Sequence, residues 1–148
     1  MKSPFIEPRR LRAVFLSDLH LGTRGCQAEL VLDVLSRLEA DAYYLVGDII
    51  DGWRLKDGWR WAPAHSAIVR HFLERAKAGA RVVYIPGNHD EFARAFTGRN
   101  FEGVEILHDT MHVTRTGKPG TGCHPPGRVA DGFPRPSGSA ARGARFGC

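Results

Sequence analysis

Three short apolar runs in this chain each end in residues that can hold a metal or move a proton, and that repetition limits the possible folds more than any other feature. Leu11 to Leu16 runs into Ser17-Asp18-Leu19-His20-Leu21-Gly22. Ala42 to Val46 runs into Gly47-Asp48-Ile49-Ile50-Asp51. Arg81 to Ile85 runs into Pro86-Gly87-Asn88-His89-Asp90. Short apolar runs closed by turn-forming residues predict buried strands. Between them the apolar spacing becomes helical. Cys26 to Glu39 places Leu30, Val31, Val34, Leu35 and Leu38 on one face. Ala62 to Ala78 does the same with Ile68, Val69, Phe72, Leu73 and Ala76, and Gly79 follows as a C-cap. Val104 to Leu107 and Met111 to Thr114 read as two further short strands. Strand and helix in alternation predict an α/β fold with parallel neighbouring strands, and 148 residues suit one domain.

Taken singly, each motif has an ordinary explanation. Asp-x-His occurs by chance, Gly47-Asp48 could cap a helix, and Pro86-Gly87-Asn88 is good turn chemistry. Together they place a polar cluster at the carboxyl ends of three strands, where open α/β sheets carry their sites. Asp18 and His20, two apart at a strand end, are expected to point to one side. Gly47 permits a sharp exit from the second strand, and the two oxygens of Asp48 could bridge two ions. Asn88 offers a neutral carbonyl oxygen. His89 can donate a proton or a hydrogen bond to a phosphoryl oxygen. Mixed Asp, His and Asn donors suit Mn²⁺, Fe²⁺ or Zn²⁺ better than Ca²⁺.

The patterns D-x-H, G-D-x-x-D and G-N-H-D over residues 12–116 resemble the calcineurin-like metallophosphoesterase superfamily. Within it the chain looks most similar to UDP-2,3-diacylglucosamine diphosphatase-like proteins of lipid A biosynthesis. That narrower likeness rests on Ser17 to Gly22, Val46 to Trp53, Val83 to Phe92, and the Trp53, Trp59, Trp61 stretch. The resemblance implies an α/β architecture, the N-terminal β-α-β-α-β half of a metallophosphoesterase sandwich. It implies two divalent metal ions, Mn²⁺ with Fe²⁺ or Zn²⁺ as alternatives. Asp18 and His20 would bind the first, Asn88 the second, and Asp48 both. His89 would stabilise the phosphoryl transition state or assist the leaving group. Asp51 would orient His89, with Asp90 in support. The implied reaction is hydrolysis of a phosphoester or pyrophosphate, on a phosphorylated small molecule or a lipid-linked UDP-diacylglucosamine. Arg54, Lys56 and Arg60 could meet substrate charge or form a solvated loop. The three tryptophans could line an acyl groove or pack a loop.

Beyond Thr116 the composition changes. Residues 117–148 contain eight Gly and five Pro, and their large apolar residues are only Val129, Phe133 and Phe146. Such a stretch is expected to be a disordered tail, leaving 1–116 as the N-terminal part of the domain. No G-H-x-H occurs, although the resemblance calls for three further histidines. His124 is a candidate for one of them, while His108 and His112 read as surface residues. A truncation, or a frameshift near Val113 to Lys118 in a G+C-rich gene, would explain the change. Little turnover is then expected from the chain as written. Residues 117–148 also carry most of the net charge of +5. Without interleaved aromatics they give no expectation of specific nucleic-acid binding. Three scattered cysteines suggest free thiols. No apolar run is long enough to span a membrane, and Met1 to Arg12 lacks a signal-like apolar region. The expected place is therefore the cytoplasm, with peripheral contact at the inner membrane if the substrate is a lipid. Two other functions stay open: a phosphodiesterase or phosphatase with a different substrate, and a non-catalytic fragment whose basic tail binds anions.

Overall fold

A computed structural model describes residues 8–55, 60–113 and 119–123. Strands β1 (Arg9–Leu16), β2 (Leu38–Val46) and β3 (Arg81–Ile85) alternate with helices α1 (Ala28–Ser36) and α2 (Pro63–Lys77). Short strands β4 (Asn100–Phe101) and β5 (Val104–Ile106) follow, then a hairpin of β6 (Thr110–Val113) and β7 (Pro119–Cys123). Five strands form one sheet in the order β1-β2-β3-β5-β4. β1, β2, β3 and β5 are parallel neighbours, and only β4 runs antiparallel at the edge. This is the expected β-α-β-α-β arrangement.

Side-chain alternation along the strands divides the interior in two. Tyr43, Leu45 and Val82 face α1 and α2, where they pack with Val31, Leu35, Ile68 and Phe72. Ala42, Tyr44, Val83 and Ile85 form a second cluster, with Ala13, Val46 and Leu107 against it. Burying these seven large side chains contributes on the order of 1.5–3 kcal/mol each. Helix α2 ends as expected, with Gly79 at φ 99° after the last turn. Only Gly adopts that conformation at little cost.

Several boundaries differ from the sequence reading. Leu38 and Glu39, expected at the end of a helix, begin β2 instead and pair with Arg9 and Arg10. Pairing with β1 outweighs a helical periodicity that Leu38 also satisfies. Leu30 is exposed rather than on the packed face of α1. The tail boundary also needs correction, because residues 119–123 pair antiparallel with β6. The unpaired backbone groups of an edge strand can be satisfied by any chain that supplies amides and carbonyls, whatever its side chains. Residues 124–148, and with them His124, lie outside the described residues. His112 is not a plain surface residue. Its ring packs edge-on against Phe15 and Tyr44, and its Nδ1 lies 3.2 Å from the Tyr44 hydroxyl. His108 is exposed, as expected.

Candidate metal centre

Because β1, β2 and β3 are parallel and in register, with Leu16 beside Leu45 and Val46 beside Ile85, their carboxyl ends share one edge of the sheet. Backbone bonds fasten the three following loops together. Asp18 N donates to Gly47 O (3.1 Å), His20 N to Asp48 O (3.0 Å), Leu21 N to Ile49 O (2.9 Å) and Gly47 N to Ile85 O (2.8 Å). The ligand-bearing segments therefore continue the sheet's own bonding pattern past the last regular strand residue.

Donor atoms of Asp18, His20 and Asp48 lie within 4.8 Å of one another. The convergence was expected, but its cause differs from the expected strand alternation. Asp18, His20 and Asp48 all have left-handed backbones, at φ 56°, 49° and 53°. Asp and His are among the non-glycine residues that tolerate this region best, yet each such residue still costs on the order of 1–3 kcal/mol. Three of them at one rim mean that the surrounding bonds hold the loops in a shape fitted to the cluster. Gly87 completes that fit. A Cβ at this position would stand 2.5 Å from Asp48 Oδ1 and 2.7 Å from Asp48 N.

Asp51 is buried, and its Oδ2 lies 3.2 Å from His89 Nδ1 and 3.4 Å from His20 Nδ1. Its Oδ1 accepts a bond from Arg54 N at 3.2 Å. Burial pushes the Asp51 carboxyl up, but the bonds from His89, Arg54 N and His20, with the charge on His89, outweigh it and hold it below its ordinary value. His89 also donates its backbone N–H to Asp48 Oδ1 at 2.9 Å. Trp53 lies over the His89 ring, with centroids 4.2 Å apart, and is itself 58% exposed. Asn88 is exposed on the same loop, and its Oδ1 is 3.4 Å from Arg94 Nη2. Its side chain thus meets a guanidinium, while its neighbours on both sides touch Asp48.

The residue whose weight the sequence understated is Asp90, which is 0% exposed. One oxygen accepts from Gly87 N and Asp48 N, and the other from Ile49 N (2.9 Å) and the Tyr84 hydroxyl (2.6 Å). Asp90 therefore ties the third loop to the second. Burial, and the Asp90 carboxyl beside it, push the Tyr84 hydroxyl up, so it remains a donor. The only sequence signal was an acidic residue after Gly87-Asn88-His89. His65 has a related part: its Nδ1 faces Gly22 N at 3.2 Å and Ala62 N at 3.4 Å, linking the first loop to the start of α2. Trp61 packs against the core and donates to Ser66 Oγ at 2.7 Å, so its role is packing. Arg54 and Arg60 are exposed, while Lys56 and Trp59 lie outside the described residues.

The donor set fits divalent cations. It combines two carboxylates and an imidazole from two loops, partly shielded from water, with the Asn88 amide on the third loop turned to Arg94, and no nearby cation among the described residues balances Asp18 and Asp48. The calcineurin-like phosphoesterase family model matches residues 11–130. The UDP-2,3-diacylglucosamine hydrolase of Xanthomonas campestris pv. campestris is 31% identical over 112 residues, covering 74% of this chain and 44% of that protein. The protein of the same name from Nitrosococcus oceani is 33% identical over 111 residues, covering 71% and 42%. That from Actinobacillus succinogenes is 29% identical over 119 residues, covering 76% and 48%. The chain thus spans less than half the length of these relatives.

Proposed function

Because this chain belongs to the calcineurin-like phosphoesterase family, we propose that its rim site serves metal-dependent hydrolysis of a phosphoester or pyrophosphate bond. The substrate of this reading is a UDP-2,3-diacylglucosamine-like lipid, taken from the names of the relatives. The observation that carries the proposal is the convergence of Asp18, His20 and Asp48 within 4.8 Å, on strained loops from separate strands. Family membership implies divalent metal ions. The metal of this reading is Mn²⁺, with Fe²⁺ or Zn²⁺ as substitutes.

Asp18 and His20 would hold one ion, Asn88 the other, and Asp48 would reach both. Asn88 would then exchange Arg94 for the ion. When bound, such ions supply Lewis acidity, which activates water near neutral pH and offsets phosphoryl charge. His89 is oriented by Asp51 on one side and Trp53 on its face, so its exposed edge can meet a phosphoryl oxygen or the leaving group. Asp90 keeps the second and third loops at fixed spacing, which the geometry of such a reaction demands. A lipid substrate would bring the protein to the cytoplasmic face of the inner membrane. Exposed Trp53, against His89, and Phe92, beside Gly52, offer apolar contact there.

Four donors shared by two ions leave each with about half the usual protein ligands, so slow turnover is expected from the 148 residues alone. The test is ³¹P NMR of UDP-2,3-diacylglucosamine incubated with the chain and Mn²⁺. Slow release of UMP, lost with chelator and in Asp48→Ala, supports the reading. Hydrolysis indifferent to both would defeat it.

A further inference from the structure

A second group of donors stands beside the first and shares only His20 with it. Asp51 Oδ2 is 3.2 Å from His89 Nδ1 and 3.4 Å from His20 Nδ1, and all three side chains bring donor atoms within 4.8 Å of one another. An N–H···O bond is best at about 2.9–3.0 Å, so both distances are long for hydrogen bonds. Four-coordinate zinc, with bonds of about 2.0–2.1 Å, places neighbouring ligands about 3.3 Å apart. The two imidazole planes cross at 89° with centroids 4.8 Å apart, so both rings approach one oxygen without overlapping.

We propose that His20, Asp51 and His89 form a separate seat for a zinc-class cation, distinct from the Asp18–His20–Asp48 group. Two imidazoles and one carboxylate make a sufficient set for such an ion, with water completing the shell. The supports are already in place. Arg54 N holds Asp51 Oδ1 and leaves Oδ2 for the ion, while Trp53 fixes the plane of His89. The imidazole side chains keep 21% and 30% exposure, which provides a way in. An ion there occupies the nitrogen that His89 turns toward Asp51 and competes for His20. Excess Zn²⁺ therefore displaces Asp51 as the direct partner of His89 and leaves the exposed edge of the ring metal-tethered. Binding at this seat is read without substrate, so it stands apart from the hydrolytic reading.

The test uses the whole chain and Co²⁺ as a coloured stand-in for zinc. Asp18→Asn/Asp48→Asn should still bind one Co²⁺ with the intense visible bands of low-coordinate cobalt. Adding His89→Ala or Asp51→Asn should weaken that binding at least tenfold. On the unaltered chain, long-range ¹H–¹⁵N spectra at saturating Zn²⁺ should show ring-nitrogen shifts at both His20 and His89. This measurement decides alone if the double variant does not fold. Absence of Co²⁺ binding by a folded double variant, no effect of His89→Ala, or unmoved His89 nitrogens would each overturn the seat. Absence of hydrolysis by the unaltered chain with Mn²⁺, alongside intact Co²⁺ binding, would instead count against the hydrolytic reading only.

Discussion

Asp48 shows how a single position trades stability for a binding site. Its φ of 53° is one that glycine adopts freely and alanine resists by on the order of 1–2 kcal/mol. Asp48→Gly should therefore be more stable than Asp48→Ala by about 1 kcal/mol in urea unfolding, reversing the usual order, while both lose metal affinity. Asp90 works in the opposite direction, because its carboxyl satisfies three amides and a hydroxyl in a dry interior. Asp90→Ala would strand those donors, and a loss of at least about 3 kcal/mol is expected from the same measurement. Tyr84→Phe should cost only about 1–2 kcal/mol, since Asp90 keeps its amide partners. His65 adds a pH dependence. Burial holds its imidazole below the ordinary value, so the unfolded chain takes up a proton first as pH falls. Its contribution to stability is full above about pH 6.5 and declines as pH drops from there toward the lowered folded value. Thermal unfolding between pH 8 and pH 5 should show that decline, and His65→Asn should flatten it.

The strands and helices were legible where the pattern was strong and local. β3 was read to the residue, and α2 to within one residue at each end, because its apolar spacing is regular and Gly79 marks its end chemically. β2 was read short, since Leu38 and Glu39 fit a helical repeat and only their partners in β1 show otherwise. β4 has two residues and carries no signal above chance. The loops were legible in content but not in shape. Residue types identified Asp18, His20 and Asp48 as donors, whereas the left-handed backbones that bring them together depend on bonds between strands far apart in sequence. The same dependence makes Gly87 sensitive. Gly87→Ala must displace the loop against Asp48 and should weaken Mn²⁺ binding at least tenfold, by titration calorimetry, with far-UV circular dichroism unchanged.

As a whole, the described chain is a parallel sheet covered by α1 and α2 on one face. On the other face, Phe15 is 40% exposed beside Tyr44, and His112 of the hairpin packs against this pair. That architecture explains why the site gathers at one rim, since every crossover returns the chain to the same edge. It also explains why sequence motifs alone named the family, while the bonds Asp90 makes, the part of His65 and the stacking of Trp53 on His89 emerged only once the loops were assembled. The central claim is that Asp18, His20 and Asp48 together hold a cation. Its most direct test is Mn²⁺ binding by electron paramagnetic resonance, comparing the unaltered chain with Asp48→Ala and with the exposed control Asp41→Ala. The account predicts an affinity at least tenfold weaker in Asp48→Ala and unchanged in Asp41→Ala. Equal Mn²⁺ affinity in all three proteins would contradict it.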